Sequence, residues 1–266
     1  MSTRIEDLFG IAGRTAVVTG GSRGIGEMIA EGFVDAGASV ILTARKAEEL
    51  QATADRLSAK AADGVTVTAI PGDLSTMDGV TAFAEAVRGV SPTIDILVNN
   101  AGATWGAPLD DYPEAGWNKL MDVNLRGVFF LTQSLLPELR AAASAESPAR
   151  VINIGSVDGL RVPGMEVYAY SASKAAVHQL TRHLAGRLAS EHVLVNAIAP
   201  GPFESKMMAF ALEDEKMRAA VAADVPLGRI GTPDDMAGAA LFLSSRAGAY
   251  VTGAVLPVGG GIWSAQ

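Results

Sequence analysis

The sequence predicts a single-domain α/β fold, a doubly wound parallel sheet of about seven strands with helices on both faces. Three observations carry that prediction. Seven short runs rich in β-branched or other apolar residues recur along the chain, and most of the segments between them show helical periodicity. The first run leads straight into a glycine cluster, Gly20-Gly21-Ser22-Arg23-Gly24-Ile25-Gly26, that opens a helical pattern. The 266 residues, 49% of them hydrophobic, contain neither an internal repeat nor a linker of domain-separating length, so a single domain over residues 1–266 is expected.

Thr15–Thr19 is the first expected strand, and the pattern Ile25, Met28, Ile29, Phe33 is the helix that follows the glycines. Strand, glycine turn and helix in that order leave helix-terminal amides whose dipole suits a pyrophosphate. Gly20, Gly24 and Gly26 let the backbone come close, with Ser22, Arg23 and Ile25 between them. A tight turn with no ligand is the plainer alternative, since the spacing is not the commoner dinucleotide fingerprint. Ser39–Thr43 is the second strand, whose tip is where an acid would bind the ribose 2′-hydroxyl of NAD. The chain has Thr43-Ala44-Arg45-Lys46 there instead. Arg45, with Arg23 or Lys46, suits a 2′-phosphate, which puts NADP(H) ahead of NAD(H). The alternative is a solvated basic turn before the helix holding Glu48, Glu49 and Leu50.

Val65–Ile70 alternates apolar and Thr residues as a third strand, and Asp73 follows Pro71-Gly72. Asp73 can accept from an adenine amino group or cap the helix near Thr76–Val87. Ile94–Val98 is a continuous apolar run, expected of a strand buried on both faces. It ends in Asn99-Asn100-Ala101-Gly102, whose amides can tie neighbouring strands together while Gly102 leaves space beside a cofactor. Trp117–Leu139 has helical periodicity with Asn124 in its middle. Asparagine competes for backbone groups, so Asn124 marks either a water-binding kink or a stray surface polar residue.

Val151–Ile154 is a fifth strand, and it places the Ser156 hydroxyl at a carboxyl end, the ligand-binding edge of open parallel sheets. Tyr170-Ser171-Ala172-Ser173-Lys174 then opens an apolar-periodic run through Leu188. The four-residue spacing puts the Tyr170 phenol and the Lys174 ammonium on one helix face. An unperturbed phenol titrates near ~10, and a neighbouring cation favours its ionised form. Tyr168 is a decoy, because the residue four on from it is Ala172. Val193–Ile198 is the sixth strand and ends at Pro200-Gly201-Pro202; the Met-rich stretch Phe203–Val225, with Met207, Met208, Phe210, Leu212 and Met217, reads as a substrate lid or as ordinary amphipathic packing. Pro233–Leu243 is a further helix and Val255–Val258 the closing strand.

Composition narrows the function classes. The chain has no cysteine, which excludes disulfides and thiolate chemistry and suits a reducing, cytoplasmic setting. A net charge of −8 argues against nucleic-acid backbone binding, and the N-terminal residues, with Arg4, Glu6 and Asp7, contain no long apolar run, so no membrane partner is expected. No metal is expected: His178 and His183 are five apart, a poor ligand pair, and with His192 they read as solvated or capping residues.

Taken together, Thr19–Gly26, Asp73, Asn99-Asn100-Ala101-Gly102, Asn124, Ser156, Tyr170 with Lys174, and Pro200-Gly201 resemble the short-chain dehydrogenase/reductase family over nearly the whole chain. The resemblance implies a Rossmann-like fold and hydride transfer between NAD(P)H and a carbonyl. It implies that Tyr170 protonates the carbonyl oxygen, Ser156 hydrogen-bonds it, Lys174 lowers the Tyr170 pKa and holds the nicotinamide ribose, and Asn124 supports a water-mediated proton relay. It also brings Asn100, Ala101, Gly102, Pro200 and Gly201 to the cofactor. Within the family, Ala103-Thr104-Trp105-Gly106, Gly116-Trp117 and Pro148–Val157 are similar to 3-oxoacyl-thioester reductases of the rhamnolipid-associated type. That implies a small carbonyl or acyl-thioester substrate; an alcohol, sugar or small-ketone dehydrogenase is the alternative, and a non-catalytic nucleotide-binding regulator a third. The apolar helices Trp117–Leu139 and Ser171–Ser190 suit a homo-oligomer, of the tetrameric kind common in the family. Glu191, near the end of the catalytic helix on an acidic molecule, is expected to disfavour docking of an acidic acyl carrier.

Overall fold

In the computed structural model, which describes residues 4–205 and 214–264, the apolar runs become β1 (Thr15–Thr19), β2 (Ser39–Thr43), β3 (Val67–Ala69), β4 (Ile96–Asn99), β5 (Ala149–Ile154), β6 (Val193–Pro200) and β7 (Val255–Val258). All pair in parallel, in the order β3-β2-β1-β4-β5-β6-β7. Every residue of β4, β5 and β6 is buried, the condition under which a strand is apolar without alternation. The edge strand β3 keeps three half-buried residues of the six expected, because Val65 turns back onto Ala62 and Pro71 has no amide with which to continue the ladder.

The helices are α1 (Ile5–Phe9), α2 (Gly24–Asp35), α3 (Ala47–Ser58), α4 (Met77–Val90), α5 (Glu114–Met121), α6 (Gly127–Ser134), α7 (Leu136–Ala142) and α8 (Tyr168–Leu188), followed by Glu215–Ala223 and Pro233–Ser244. Alternate strand residues feed opposite cores. On one face Val18, Val40 and Ile198 pack with Ile29 and Phe33 of α2, Leu50 of α3 and Met236. On the other, Val17, Leu97 and Val195 pack with Phe83 of α4, Leu131 of α6 and Leu188 of α8. Sheet order reverses between β1 and β4, so their carboxyl ends open one crevice, the place where folds of this kind bind ligands.

Two expectations are corrected here. The helix foreseen over Trp117–Leu139 is three segments: a π-helical turn at Asp122–Arg126 separates α5 from α6, and Leu135, two residues before Pro137, breaks α6 from α7. Asp73 does not cap α4. Thr76 does, its hydroxyl accepting from Gly79 N at 3.1 Å, while Asp73 Oδ1 accepts from the Ser75 amide and hydroxyl at 3.0 and 2.7 Å.

Candidate active site

The glycine loop is built as the crevice requires. Gly20 and Gly24 have φ of 64° and 56°, the left-handed region that side chains resist. A Cβ at Gly26 would lie 2.3 Å from Gly20 O and 2.4 Å from Asn100 Nδ2, so only glycine lets α2 start this close to β4. Arg23 is the residue before α2, and no side chain caps the helix there, leaving its first amides for a ligand. Ile25 packs inward on the core. Thr19 Oγ1 accepts from Asn100 N and Ala101 N, each at 2.9 Å, and Asn100 Nδ2 donates to Thr19 O and Gly20 O, so the loops after β1 and β4 are tied to each other.

At the end of β2, Arg45 and Lys46 are exposed, as is Arg23 in the glycine loop. The sequence reading missed Glu49 in this group. From the first turn of α3, Glu49 accepts from Ser22 Oγ at 2.9 Å and Arg23 Nη1 at 3.1 Å, with Lys46 Nζ 3.8 Å away. Ser75 holds the Asp73 carboxyl below its usual range, mainly through its amide, and the Arg45 charge adds to this.

Tyr170, Lys174, Ser156 and Asn124 meet where β4, β5 and α8 converge. Ser156, 5% exposed, lies two residues past the β5 end beside the Tyr170 phenol, and its Oγ accepts from Asp158 N at 3.1 Å. Lys174 Nζ donates to Ile154 O at 2.8 Å and stands 5.7 Å from the Tyr170 ring centre. Burial pushes the Tyr170 phenol up to about 12, with Asp158 adding to it and Ser156 opposing it, and burial lowers Lys174 to about 8. The balance at Tyr170 is thus set by burial, and Lys174 points its protons at a carbonyl. Asn124 lies in the π-helical turn and is 1% exposed: Nδ2 donates to Ala103 O and Ser173 Oγ, both at 3.0 Å, and Oδ1 accepts from Ala103 N at 2.9 Å. A Cβ at Gly102 would be 3.1 Å from Asn124 Oδ1 and 3.6 Å from Lys174 Nζ. Gly201 lies at the far side of this edge, where a Cβ would be 2.6 Å from Gly259 Cα. Pro200 closes β6 in register with Val258.

The expectation of solvated or capping histidines holds for His183, which is exposed, and for His192, and fails for His178. His192 sits at φ 58° just past the turn Ala189–Glu191 and caps it through its amide. His178 is 2% exposed, one turn beyond Lys174, and wedged so closely under the active-site loop that a Cβ at Gly155 would lie 2.1 Å from its Nε2. Burial, then the Lys174 and Arg182 charges, lower its pKa to about 4. A further buried chain, Thr132–Asn99–Asn153–Thr181, runs across the sheet with links of 3.0, 2.9 and 2.9 Å and fixes the β4 and β5 ends to α6 and α8.

Tyr168 faces elsewhere. Its hydroxyl donates to Glu166 at 3.0 Å, its ring meets Tyr112 edge-on, and it lines a cleft of about 320 Å³ with Leu109, Tyr112, Glu114 and Trp117, apart from the four candidate catalytic residues. Glu191 corrects the expectation of a repulsive surface: it accepts from Arg140 at 2.6 Å and Arg187 at 2.5 Å, so two cations surround one carboxylate. Met207, Met208, Phe210 and Leu212 of the expected lid lie outside the described residues; Met217 is on the helix Glu215–Ala223, half-exposed. Among the described residues no three metal-ligating side chains cluster, and no helix is long and apolar enough to cross a membrane.

Residues 20–263 match the family model described as Enoyl-(Acyl carrier protein) reductase. The chain is 52% identical over 253 residues to the rhamnolipids-biosynthesis 3-oxoacyl-[acyl-carrier-protein] reductase of Pseudomonas aeruginosa, covering 95% of this chain and 97% of that one. The solved RhlG/NADP active-site complex from Pseudomonas aeruginosa superposes with a TM-score of 0.93 at 52% identity, covering 97% of this chain and 99% of the other. A gluconate 5-dehydrogenase from Burkholderia cenocepacia, in complex with NADP and tartrate, superposes with a TM-score of 0.89 at 33% identity, covering 99% and 100%. Matched over nearly its whole length in sequence and in fold, with its polar residues gathered at the crevice these folds share, the chain belongs to the short-chain dehydrogenase/reductase family of oxidoreductases.

Proposed function

We propose that this chain is an NADPH-dependent reductase that converts the ketone of a 3-oxoacyl thioester to a secondary alcohol. The observation that carries the reading is the meeting of Ser156, Tyr170, Lys174 and Asn124 at the sheet edge beside an uncapped helix start. The 52% identity to a reductase named for such a substrate supports the substrate class.

The residues present fit the cofactor: the start of α2 carries no side-chain cap, which leaves its first amides for a pyrophosphate, and the donors around the β2 tip suit a phosphorylated ribose. Gly20, Ser22, Arg23, Gly24, Ile25 and Gly26 would hold the pyrophosphate, Arg23 and Arg45 the 2′-phosphate, and Asp73 the adenine. Asn100, Ala101 and Gly102, with Pro200 and Gly201, would flank the nicotinamide end, whose ribose falls to Tyr170 and Lys174. When bound, NADPH supplies the hydride. Tyr170 gives its proton to the carbonyl oxygen as that oxygen gains negative charge, and its burial keeps it protonated until then. Ser156 donates to the same oxygen. Lys174, near pKa 8, carries a proton that can reload Tyr170. Asn124 holds the π-helical turn against Ala103 and Ser173, the position from which a water relay would be fed.

The same reading takes the chain as one catalytic domain with its substrate cover near 203–225, as a homo-oligomer, and as cytoplasmic. Matched carrier-linked, coenzyme A-linked and free ketone substrates, followed by NADPH absorbance, test the substrate. Thioesters should be preferred by at least about tenfold in kcat/KM, as expected when remote binding energy aids the chemical step. Activity confined to keto-sugar acids would replace the thioester assignment with that of a sugar dehydrogenase.

A further inference from the structure

We propose that Glu49 is a specificity-determining residue: its carboxylate is a counter-ion built into the ribose end of the crevice, and it competes with a 2′-phosphate for Ser22 and Arg23. The inference rests on the dinucleotide reading above and goes beyond it. The acid that selects an unphosphorylated ribose is sought at the strand tip, where this chain has Ala44 and Arg45. Glu49 arrives at the same place from α3. Its two oxygens both accept from Arg23 Nη1, at 3.1 and 3.2 Å, and one also accepts from Ser22 Oγ at 2.9 Å. These partners belong to the glycine loop, and Arg23 immediately precedes α2.

The carboxylate is held in place. Thr53 Oγ1 donates to Ser22 O at 2.9 Å and to Glu49 O at 3.1 Å, pinning the first turns of α3 to the loop, and the α3 dipole favours an acid at this position. Glu49 is also one-third exposed, so a competing anion can reach its partners from solvent. A phosphate brought to Arg23 meets a fixed negative charge within the range where like charges repel strongly in a partly screened site. The same carboxylate is an acceptor for a free ribose hydroxyl. Glu49 therefore narrows a preference that Arg23 and Arg45 create, and leaves the chain able to use both dinucleotides.

Calorimetric titration of the full chain and of Glu49→Gln with NADP+, NAD+, 2′,5′-ADP and 5′-AMP tests this without turnover. Glu49→Gln should tighten NADP+ and 2′,5′-ADP by roughly tenfold, the size of one close like-charge contact near a surface. It should leave 5′-AMP within about twofold, which shows an intact cradle, and leave NAD+ no tighter. The gain should shrink as salt is raised. If Glu49→Gln leaves 2′,5′-ADP unchanged or weaker while 5′-AMP still binds, Glu49 only orients Arg23 and the inference fails alone. A wild-type chain that binds neither dinucleotide overturns the cofactor reading, and this inference with it.

Discussion

A phenol can donate a proton only while it keeps one, and at Tyr170 burial secures that more than any neighbour does. Replacing Tyr170 with Phe removes the donor and little else, so turnover should drop by about 100- to 10,000-fold while NADPH still binds. Tyr168→Phe is the matched control; two residues away but facing Glu166 and Tyr112, it should stay active in the same assay, and a comparable loss there would undo the assignment. Tyr170 and Lys174 were legible in the sequence because helix geometry converts a spacing of four into one face. Glu49 was not, because its hydrogen-bond partners lie 26 and 27 residues away and only the packing of α3 on the glycine loop joins them. His178 was misread for a related reason: spacing places it on the Lys174 face but says nothing of depth. Arg150 was also missed, a guanidinium 1% exposed that spends its donors on the carbonyls of Pro148, Leu243 and Ser245; burial lowers it to about 10.

At the scale of elements, strands read well wherever they are buried on both sides, since a continuous apolar run has no other use there; β4, β5 and β6 are such strands. The long helix before β5 read poorly because a π-helical turn leaves the apolar rhythm nearly intact while changing the backbone pairing beneath it. Asn124 was the sign of it, a polar residue on an apolar face, and its three bonds to Ala103 and Ser173 explain its place. Contact between α8 and the β5 end makes a sharper test. Gly155→Ala would put a methyl 2.1 Å from His178 Nε2, so either the helix or the loop carrying Ser156 must move. Overpacking of this kind costs about 1–3 kcal/mol, and activity should fall with stability because Ser156 is the next residue. Adding His178→Ala should recover part of the loss. Urea unfolding of the two single variants and the double variant measures the coupling, and strict additivity would show that the two residues do not press on each other.

For the molecule as a whole, the excess of 29 acids over 21 basic residues was plain in the sequence, but how those charges respond to pH depends on which are buried. His178 carries the clearest consequence. Its folded pKa is depressed to about 4 from the ordinary 6.5, so between those values the unfolded chain binds a proton that the folded chain refuses. Stability is therefore full above the unfolded value and falls as pH drops toward about 4, by about 3 kcal/mol at most from this one group. The groups facing it reinforce the effect, since the Lys174 and Arg182 charges both disfavour a protonated imidazole. Other groups act outside it or against it: Asp235, depressed mainly by Arg229, adds its loss only at lower pH, and Asp158, raised by burial, gains stability on acidification. His178→Leu keeps an apolar side chain in the pocket and removes the titration. Urea midpoints at neutral pH, at mid-window and near pH ~4.5 should then converge: the wild type loses stability steeply on acidification, and the variant loses markedly less. Parallel decline in the two proteins would assign the acid sensitivity to the carboxylate pairs instead, and would mean that the buried imidazole takes up its proton without disturbing the fold.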